Sequence, residues 1–408
     1  MSTVSPEDRS GRPAILGGTP TFEEPVFVAR SRIPSWDRLG ARLQEVLSTR
    51  RLTNNGPVVQ ELEAALRARL QTGFCIATAN GTIGLQLALR ALELQGEVIT
   101  TPFTFPATVH AIEWNGLEPV FCDIDAETYN LSPELVSGSI TERTSAVLPV
   151  HVFGNPCDIG GFDRLAGDHA LRVLYDAAHA FGVEIAGCSV FEAGDLSVLS
   201  FHATKLFHSA EGGAVVGASE EDRRANALLR NFGIVNEEEV SGVGLNAKLS
   251  ELHAALGLEL LPLMEDEIAC RAEIAARYEA LLGATPGVRF QKFEPTTKRN
   301  HAYFTIEIDA DEFGLSRNEL HRALGLDNIV TRKYFHPLAS QNPSYRGLPS
   351  AAPELLPNAT RLATRVLCLP IYGELLPAEA DAIANTVLGI ARDPEGVRDA
   401  LSRQTEAS

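Results

Sequence analysis

Lysine is scarce in this chain, and one lysine lies where it could act as a nucleophile. The 408 residues contain 35 Lys and Arg in total, but lysine occurs only at positions 205, 248, 292, 298 and 333. Lys205 follows an apolar run and precedes Glu211-Gly212-Gly213. Apolar neighbours would lower the pKa of its amine, and such an amine can form a Schiff base with a carbonyl. The alternative is a lysine whose stem packs while its ammonium reaches water.

A carboxylate and a histidine follow another apolar run. Asp176 comes directly after Val173-Leu174-Tyr175, and His179 lies about one helical turn further on. Asp176 could cap the next helix. It could instead face a buried cationic nitrogen, which would keep the carboxylate ionised by charge pairing. His179 could face the same ligand or be a structural histidine with satisfied hydrogen bonds.

Two further apolar runs end in residues suited to a planar, phosphorylated ligand. Gly81 and Thr82 open a predicted helix, where free backbone amides and the helix dipole favour a phosphate. An ordinary helix start, capped by Asn80 or Thr82, is the alternative. Phe103 and Phe105 follow the next run and could stack on a planar ring or belong to the core.

These four features follow four different predicted strands. In open parallel sheets ligands bind beyond the carboxyl ends of the strands, so the four sets of residues are expected to meet. A phosphate cradle, a stacking aromatic, a carboxylate for a ring nitrogen and a Schiff-base lysine together describe a site for pyridoxal phosphate. We expect no metal site, because the six cysteines are scattered without the short paired spacing of zinc or redox motifs.

The elements that must position these residues alternate between strand and helix. The predicted strands between residues 56 and 217 are Phe74–Ala79, Glu97–Thr101, Pro119–Cys122, Ser145–Val150, Arg172–Tyr175 and Leu196–Phe201. Helical patterns at Ile83–Leu94 and Pro106–Trp114 lie between some of them. This alternation predicts an α/β fold with right-handed crossovers and a mainly parallel sheet covered on both faces.

The chain after about residue 246 is predicted to form a second, smaller unit. Leucine and isoleucine recur at helical spacing between residues 249 and 281, which predicts one long connecting helix. A strand at Ala302–Ile308 and helices at Ser316–Leu324 and Pro377–Ala391 follow, and the polar last dozen residues are expected to fray. We therefore predict an N-terminal segment (1–55), a large cofactor-binding domain (56–250), and the connecting helix with a small α+β C-terminal domain (251–408).

Charge and hydropathy exclude several classes of protein. The 53 Asp and Glu exceed the 35 Lys and Arg and give a formal net charge of −18, which disfavours nucleic acid and anionic membranes as partners. The first thirty residues contain Glu7, Asp8 and Arg9 and no long apolar stretch, so no secretory signal peptide is expected. No uncharged span of about twenty apolar residues suggests a transmembrane helix. With scattered cysteines, these features predict a cytoplasmic protein.

The sequence resembles the sugar-nucleotide aminotransferases of the DegT/DnrJ/StrS family, which have the aspartate aminotransferase-like fold type I. The resemblance extends from Gly17-Gly18-Thr19-Pro20 to Leu369-Pro370-Ile371-Tyr372 and is most specific between Ser200 and Gly213. It implies that Lys205 carries pyridoxal 5'-phosphate and later moves protons, and that Asp176 pairs with the pyridinium nitrogen.

The resemblance also implies roles for the other site residues. His179, where many members have Gln, would reach the phenolic oxygen of the cofactor. Phe105 lies where members place a ring-stacking aromatic, often Trp. Gly81, Thr82 and Ser200 match positions that contact the phosphate. Asn246, within 244–252, would reach the phosphate in the partner subunit, which implies a homodimer with shared sites.

The implied reaction moves an amino group from L-glutamate to a keto sugar linked to a nucleoside diphosphate. The segment His202-Ala203-Thr204-Lys205 is similar to that of members that aminate carbon 4 of a 4-keto-6-deoxyhexose, with dTDP as the expected nucleotide, in deoxyaminosugar biosynthesis. Arg332, Tyr334 and His336 belong to a segment that resembles a substrate-side loop and whose charges could meet the diphosphate. A solvated basic turn is the alternative interpretation of that segment.

Three other functions stay open at this point. A carbon-3 sugar aminotransferase and a sugar dehydratase would belong to the same family, but relatives that remove a sugar hydroxyl have His in place of the lysine. Retention of Lys205 therefore favours transamination. A non-catalytic protein that binds the cofactor or a sugar is the third alternative, and retention of both Lys205 and Asp176 argues against it.

Overall fold

The computed structural model describes residues 12–406. Glu7, Asp8 and Arg9, on which the expectation about a signal peptide partly rests, lie outside the described residues. The strands are β1 (Phe74–Thr78), β2 (Glu97–Thr100), β3 (Glu118–Phe121), β4 (Thr144–Leu148), β5 (Arg172–Asp176), β6 (Glu184–Ile185), β7 (Cys188–Ser189), β8 (Leu196–Ser200), β9 (Gly213–Gly217), β10 (Val288–Phe290), β11 (Thr297–Lys298), β12 (Phe304–Ile308) and β13 (Val366–Leu369).

The α-helices are α1 (Trp36–Thr49), α2 (Pro57–Leu70), α3 (Gly81–Ala91), α4 (Pro106–Trp114), α5 (Pro133–Ser137), α6 (Ile159–His169), α7 (Glu220–Leu229), α8 (Glu251–Leu260), α9 (Met264–Leu282), α10 (Ala310–Phe313), α11 (Arg317–Leu326), α12 (Pro357–Arg365), α13 (Pro377–Ala391) and α14 (Pro394–Glu406). Short 3₁₀ helices lie at Ala14–Leu16, Val152–Gly154, Val190–Glu192, Leu261–Leu263, Ala339–Gln341, Pro349–Ala351 and Pro353–Leu355. Within residues 12–406, no helix combines the length and the apolar character needed to cross a bilayer.

Residues 74–217 form a seven-stranded sheet in the order β1-β9-β8-β5-β4-β2-β3. Its neighbouring strands are parallel, except that β9 runs antiparallel to both β1 and β8. Each of the six predicted strands is present, with ends that differ by one or two residues. The predicted α/β fold with a mainly parallel sheet is therefore confirmed, and β9 is the strand that we did not predict.

Helices cover both faces of this sheet because successive strand residues point to opposite sides. Ile76 of β1 packs in one buried cluster with Leu85 of α3. Cys75 and Ala77, its neighbours in the strand, pack in the opposite cluster with Leu62 of α2. Each face of the sheet therefore packs into its own core, and the ends of the strands lie between the two layers of helices.

The C-terminal part contains a three-stranded antiparallel sheet in the order β10-β12-β13. The single long helix predicted between residues 249 and 281 is wrong in one respect, because two α-helices, α8 and α9, are joined by the 3₁₀ turn Leu261–Leu263. Pro262 explains the break, since proline has no N–H for the helical ladder and its ring crowds the preceding turn. The division of the chain near residues 55 and 250 stays a prediction.

Both ends of the described chain pack into the C-terminal core. The expectation that the last dozen residues fray is wrong up to residue 406, because α14 buries Val397 and Leu401, which lie one helical turn apart. Residues 407 and 408 lie outside the described residues. At the other end, Phe22 and Val26 are buried in the same cluster. Asp327 accepts hydrogen bonds from the amides of Ala14 and Thr21, which fastens the N-terminal segment to this part of the molecule.

Candidate active site

A cavity of about 710 Å³ lies at the carboxyl ends of β1, β5 and β8. Residues of the C-terminal part complete its wall, among them Tyr303 and Phe335. Nine of the eleven predicted site residues line it, namely Gly81, Thr82, Phe105, Asp176, His179, Ser200, Lys205, Arg332 and Tyr334. Asn246 and His336 are exposed and are not part of this lining. The large sheet and the C-terminal part therefore together bring residues that are up to 253 positions apart, from 81 to 334, to one cavity.

Lys205 lies at the tip of a short loop between β8 and β9. The loop is closed at its base by the Ser209 amide, which donates to the Phe201 carbonyl at 2.9 Å. The Lys205 side chain is half-buried, and its Nζ lies 6.0 Å from the centre of the Tyr303 ring. Burial lowers the pKa of this amine, and the Asp176 carboxylate opposes that effect. The result is a desolvated amine directed into the cavity.

Asp176 is the last residue of β5 and is almost fully buried. Its Oδ2 accepts a hydrogen bond of 2.7 Å from the Thr108 hydroxyl, and its Oδ1 accepts one of 3.1 Å from the Ala178 amide. Burial raises its pKa, whereas these two donors and the Lys205 amine act in the opposite direction. No α-helix begins between β5 and β6, so Asp176 does not cap a helix in the described chain.

His179 is held as a neutral imidazole. The Phe153 amide donates to its Nδ1 at 3.2 Å, so the ring proton is assigned to Nε2. Burial, aided by the charge of Lys205, lowers the pKa of His179 well below its usual value. The ring lies parallel to that of Phe335, with centroids 6.1 Å apart. His179 therefore offers an N–H donor at Nε2 rather than a positive charge.

The start of α3 forms another part of the cavity wall. Asn80 caps this helix, since its Oδ1 accepts from the Ile83 amide at 2.9 Å. The amides of Gly81 and Thr82 precede the first possible intrahelical bond, and both residues line the cavity beside Ser200. The phosphate-binding and helix-capping interpretations of this motif are therefore compatible, because a capped helix start also presents free amides to an anion.

Phe105 and Arg332 line the cavity but are exposed, whereas Asn246 lies outside the cavity. Phe105, at the N-terminus of α4, keeps 57% of its surface exposed. Arg332 is exposed, with its guanidinium carbon 5.5 Å from the centre of the Tyr334 ring, and its backbone pairs with Cys368 of β13. Asn246 pairs through its backbone with Asn231 on the outer surface.

Sequence analysis missed three residues that shape this site. Thr108 contacts the Asp176 carboxylate, and its spacing of four from Thr104 on a helix start was the available signal. Tyr303 and Phe335 line the cavity from the C-terminal part. Phe335 lies within the segment that resembles a substrate-side loop, between Tyr334 and His336. Nothing in the local sequence of Tyr303 indicates its position, because this position depends on how the C-terminal part packs against the large sheet.

The fold and the loop between β8 and β9 that carries Lys205 define the chain as an aminotransferase of the aspartate aminotransferase-like fold type I. The solved structure of DesI in the presence of its TDP-sugar product matches with a TM-score of 0.90 and 36% identity, covering 97% of this chain and 99% of that chain. The structure of 3-amino-5-hydroxybenzoic acid synthase matches with a TM-score of 0.80 and 27% identity, covering 92% of this chain and 100% of that chain.

The chain belongs to the DegT/DnrJ/EryC1/StrS aminotransferase family, whose family model matches residues 37–388. A dTDP-4-amino-4,6-dideoxy-D-glucose transaminase of Escherichia coli is 40% identical over 370 residues, covering 90% of this chain and 99% of that protein. The transaminase of the same name from Shigella dysenteriae is 40% identical over 366 residues, covering 90% of this chain and 99% of that protein. The predicted family and the predicted aminotransferase activity are therefore confirmed.

Proposed function

We propose that this protein uses pyridoxal phosphate to move an amino group from L-glutamate to carbon 4 of a dTDP-linked 4-keto-6-deoxyhexose, in deoxyaminosugar biosynthesis. The observation that carries the proposal is the convergence of Lys205, Asp176 and the first amides of α3 on one cavity. The relatives named for a 4-amino-4,6-dideoxyglucose product support carbon 4 over carbon 3, and DesI with its TDP-sugar product supports a dTDP-linked substrate.

The donor groups of the cavity fit pyridoxal phosphate. The amides of Gly81 and Thr82 and the Ser200 hydroxyl suit a phosphate at a helix N-terminus. A Cβ at Gly81 would come within 3.0 Å of the Ser200 Cβ, so glycine keeps this corner open. Asp176 suits a protonated ring nitrogen, and the exposed Phe105 ring is available to stack on the cofactor.

The residues have distinct tasks in this mechanism. When bound, pyridoxal phosphate supplies an electron sink for the carbon from which a proton is removed. Lys205 would hold the cofactor between turnovers, and its free Nζ would take the proton from the donor α-carbon and later return one to the sugar. Asp176 holds a proton on the ring nitrogen. His179 donates from Nε2 towards the phenolic oxygen.

Arg332 and its segment are proposed to bind substrate. Both substrates are anionic, and Arg332 contributes a permanent positive charge to the cavity wall beside Tyr334. His336 lies two residues beyond Tyr334, is exposed, and is proposed to contact the part of the nucleotide sugar outside the cavity.

A homodimer with shared sites is part of the proposal. The segment 231–246 carries six large apolar side chains that are at least 40% exposed: Phe232, Ile234, Val235, Val240, Val243 and Leu245. Contiguous exposed apolar surface of this kind is typical of a protein interface. Asn246 ends this segment and would contact the phosphate in the partner subunit.

Reduction of the loaded protein tests the central residue. The protein with pyridoxal phosphate should be yellow, and borohydride followed by peptide mass spectrometry should find the cofactor on Lys205. Lys205→Ala should remove this attachment, whereas Lys248→Ala, which changes another half-buried lysine, should retain it. A colourless protein that gains no absorbance with pyridoxal phosphate would refute the proposal.

Turnover separates the enzyme from a non-catalytic binding protein. Incubation with L-glutamate and a dTDP-4-keto-6-deoxyhexose should release 2-oxoglutarate and yield a 4-amino sugar. A 3-keto isomer offered in parallel tests the alternative at carbon 3. A yellow protein that releases no 2-oxoglutarate with either sugar would support the binding function instead.

A further inference from the structure

Two threonines form a buried chain behind Asp176, on α4 and the residues before it. The Thr108 hydroxyl donates to Asp176 Oδ2 at 2.7 Å, and the Thr104 hydroxyl lies 2.8 Å from that of Thr108. Thr104 is 2% exposed, Thr108 is fully buried and Asp176 is 6% exposed. The mechanism above assigns no task to either threonine.

The Asp176 carboxylate accepts the last of these hydrogen bonds and thereby fixes the direction of the bonds between the two threonines. A hydroxyl has one proton to donate, and Thr108 uses it on the carboxylate. Thr104 must therefore donate to Thr108. The two bonds point the same way and polarise each other towards Asp176, which strengthens the bond to the carboxylate.

Opposing effects act on the charge of Asp176. Burial favours the neutral carboxyl form, whereas a hydrogen bond to each oxygen favours the ionised form. The Lys205 amine is the charged group that faces Asp176. The donor to Oδ1 is the backbone amide of Ala178, which any residue except proline would also supply. Thr108 is therefore the donor to Asp176 that depends on a particular side chain.

We infer that Thr108, with Thr104 behind it, is a positioning residue that keeps Asp176 ionised and directed at the ring nitrogen of the cofactor. The inference rests on the proposed function, because it requires pyridoxal phosphate in the cavity. Thr108 acts through Asp176 and is not itself a catalytic residue.

The test uses the protein loaded with pyridoxal phosphate labelled with ¹⁵N in the ring. The ¹⁵N chemical shift reports directly whether the ring nitrogen is protonated, and fluorescence titration of the unloaded protein gives the Kd. Thr108→Val removes the hydroxyl at nearly constant volume, Thr108→Ser keeps it, and Thr104→Val removes the second hydroxyl. Thr100→Val is the matched control, because the buried Thr100 hydroxyl donates to the Leu148 carbonyl at 2.7 Å.

Thr108→Val should move the ¹⁵N shift towards that of an unprotonated pyridine and raise the Kd about tenfold, the effect of losing one hydrogen bond to a charged group. Thr104→Val should give a smaller change in the same direction. Thr108→Ser and Thr100→Val should keep the wild-type shift.

A wild-type ¹⁵N shift in loaded Thr108→Val would overturn the inference while leaving the proposed function intact. If Thr108→Val does not fold, Thr104→Val decides in its place, and an unchanged shift in that variant overturns the inference. Failure of the wild-type protein to bind pyridoxal phosphate would refute the proposed function, and this inference with it.

Discussion

His151 shows what burial does to a single titratable residue beside the site. It is fully buried, its ring stacks on that of Tyr175 at 4.8 Å, and its backbone amide donates to the Asp176 carbonyl. Its Nδ1 accepts from the Cys157 amide at 3.1 Å, which requires an unprotonated nitrogen. Burial lowers the pKa of His151 to about 3. The folded protein therefore keeps this ring neutral over the whole range in which an exposed histidine titrates.

His151 should make the folded protein sensitive to acid. Below pH 6.5 the unfolded chain binds a proton at this residue and the folded protein does not, so the free energy of unfolding falls as the pH falls towards 3. Between pH 7 and pH 5 this loss is about 2 kcal/mol. His151→Asn, which keeps an acceptor for the Cys157 amide, should lower stability at pH 7 but reduce the pH dependence by that amount.

Urea unfolding of the loaded protein at the two pH values measures the difference. His169→Asn is the control, since His169 is exposed and its replacement should leave the pH dependence unchanged. The same pH dependence in His151→Asn and wild type would contradict the prediction.

Close contact between two elements fixes the end of the cavity where the phosphate is proposed to bind. Gly213 opens β9 and lies against the start of α3. A Cβ at Gly213 would come within 2.7 Å of the Asn80 carbonyl carbon and the Gly81 nitrogen, and within 2.8 Å of the Leu199 oxygen. All three atoms belong to the backbone and cannot rotate away. The helix start can therefore take this position only next to glycine.

Gly213→Ala should separate α3 from β9. We expect it to destabilise the protein by about 1–3 kcal/mol, as overpacking does, and to weaken binding of pyridoxal phosphate at least tenfold. Thermal unfolding and a cofactor titration measure the two effects. Gly167→Ala is the matched control, because a Cβ added to this glycine of α6 would meet no atom within 4 Å and alanine favours a helix. Wild-type affinity in Gly213→Ala would show that the contact is unimportant.

The sequence pattern predicted the parallel strands but not every element. Strands buried on both faces form continuous apolar runs, which is why β1, β4, β5 and β8 were recognisable. Strand β9 is bounded by Gly213 and Gly217, which interrupt the apolar pattern, and its antiparallel pairing depends on neighbours distant in the chain. The helix α14 was missed because only Val397 and Leu401 mark its buried side.

The site was predictable where strand ends determine it. Lys205, Asp176 and Gly81 follow strands of one sheet, and the rule that ligands bind at the carboxyl ends of parallel strands was enough to group them. Tyr303 reaches the cavity from another part of the molecule. Its position follows from packing between distant segments, which a local pattern does not encode.

At the scale of the whole molecule, a shared site can be tested by mixing subunits. If Asn246 completes the site of the partner subunit, Lys205→Ala and Asn246→Asp damage the same site from opposite subunits. In a mixed dimer one site then carries both changes and the other carries neither. Refolding the two inactive variants together should restore about one quarter of wild-type activity, since half of the dimers are mixed and each has one intact site.

Each variant refolded alone serves as the control and should remain inactive. Activity in the mixture no higher than the sum of the two separate variants would show that Asn246 acts within its own subunit or not at all. Sedimentation of the mixture establishes that dimers have formed.

The order of strands in the large sheet has a consequence for how the protein is made. Residues 74–78 leave the ribosome early, but β9, the strand with which they pair within the described chain, ends only at residue 217. Thr78 can pair with Gly213 only after another 135 residues have been synthesised, since 213 − 78 = 135. At elongation rates of about 5–20 residues per second, β1 remains without this partner for several seconds or more. Residues 14–28 wait longer still, because they pack against residues near 327. The nascent chain therefore exposes apolar strand edges until most of it has been translated. Folding can be completed only after the C-terminal part has been synthesised.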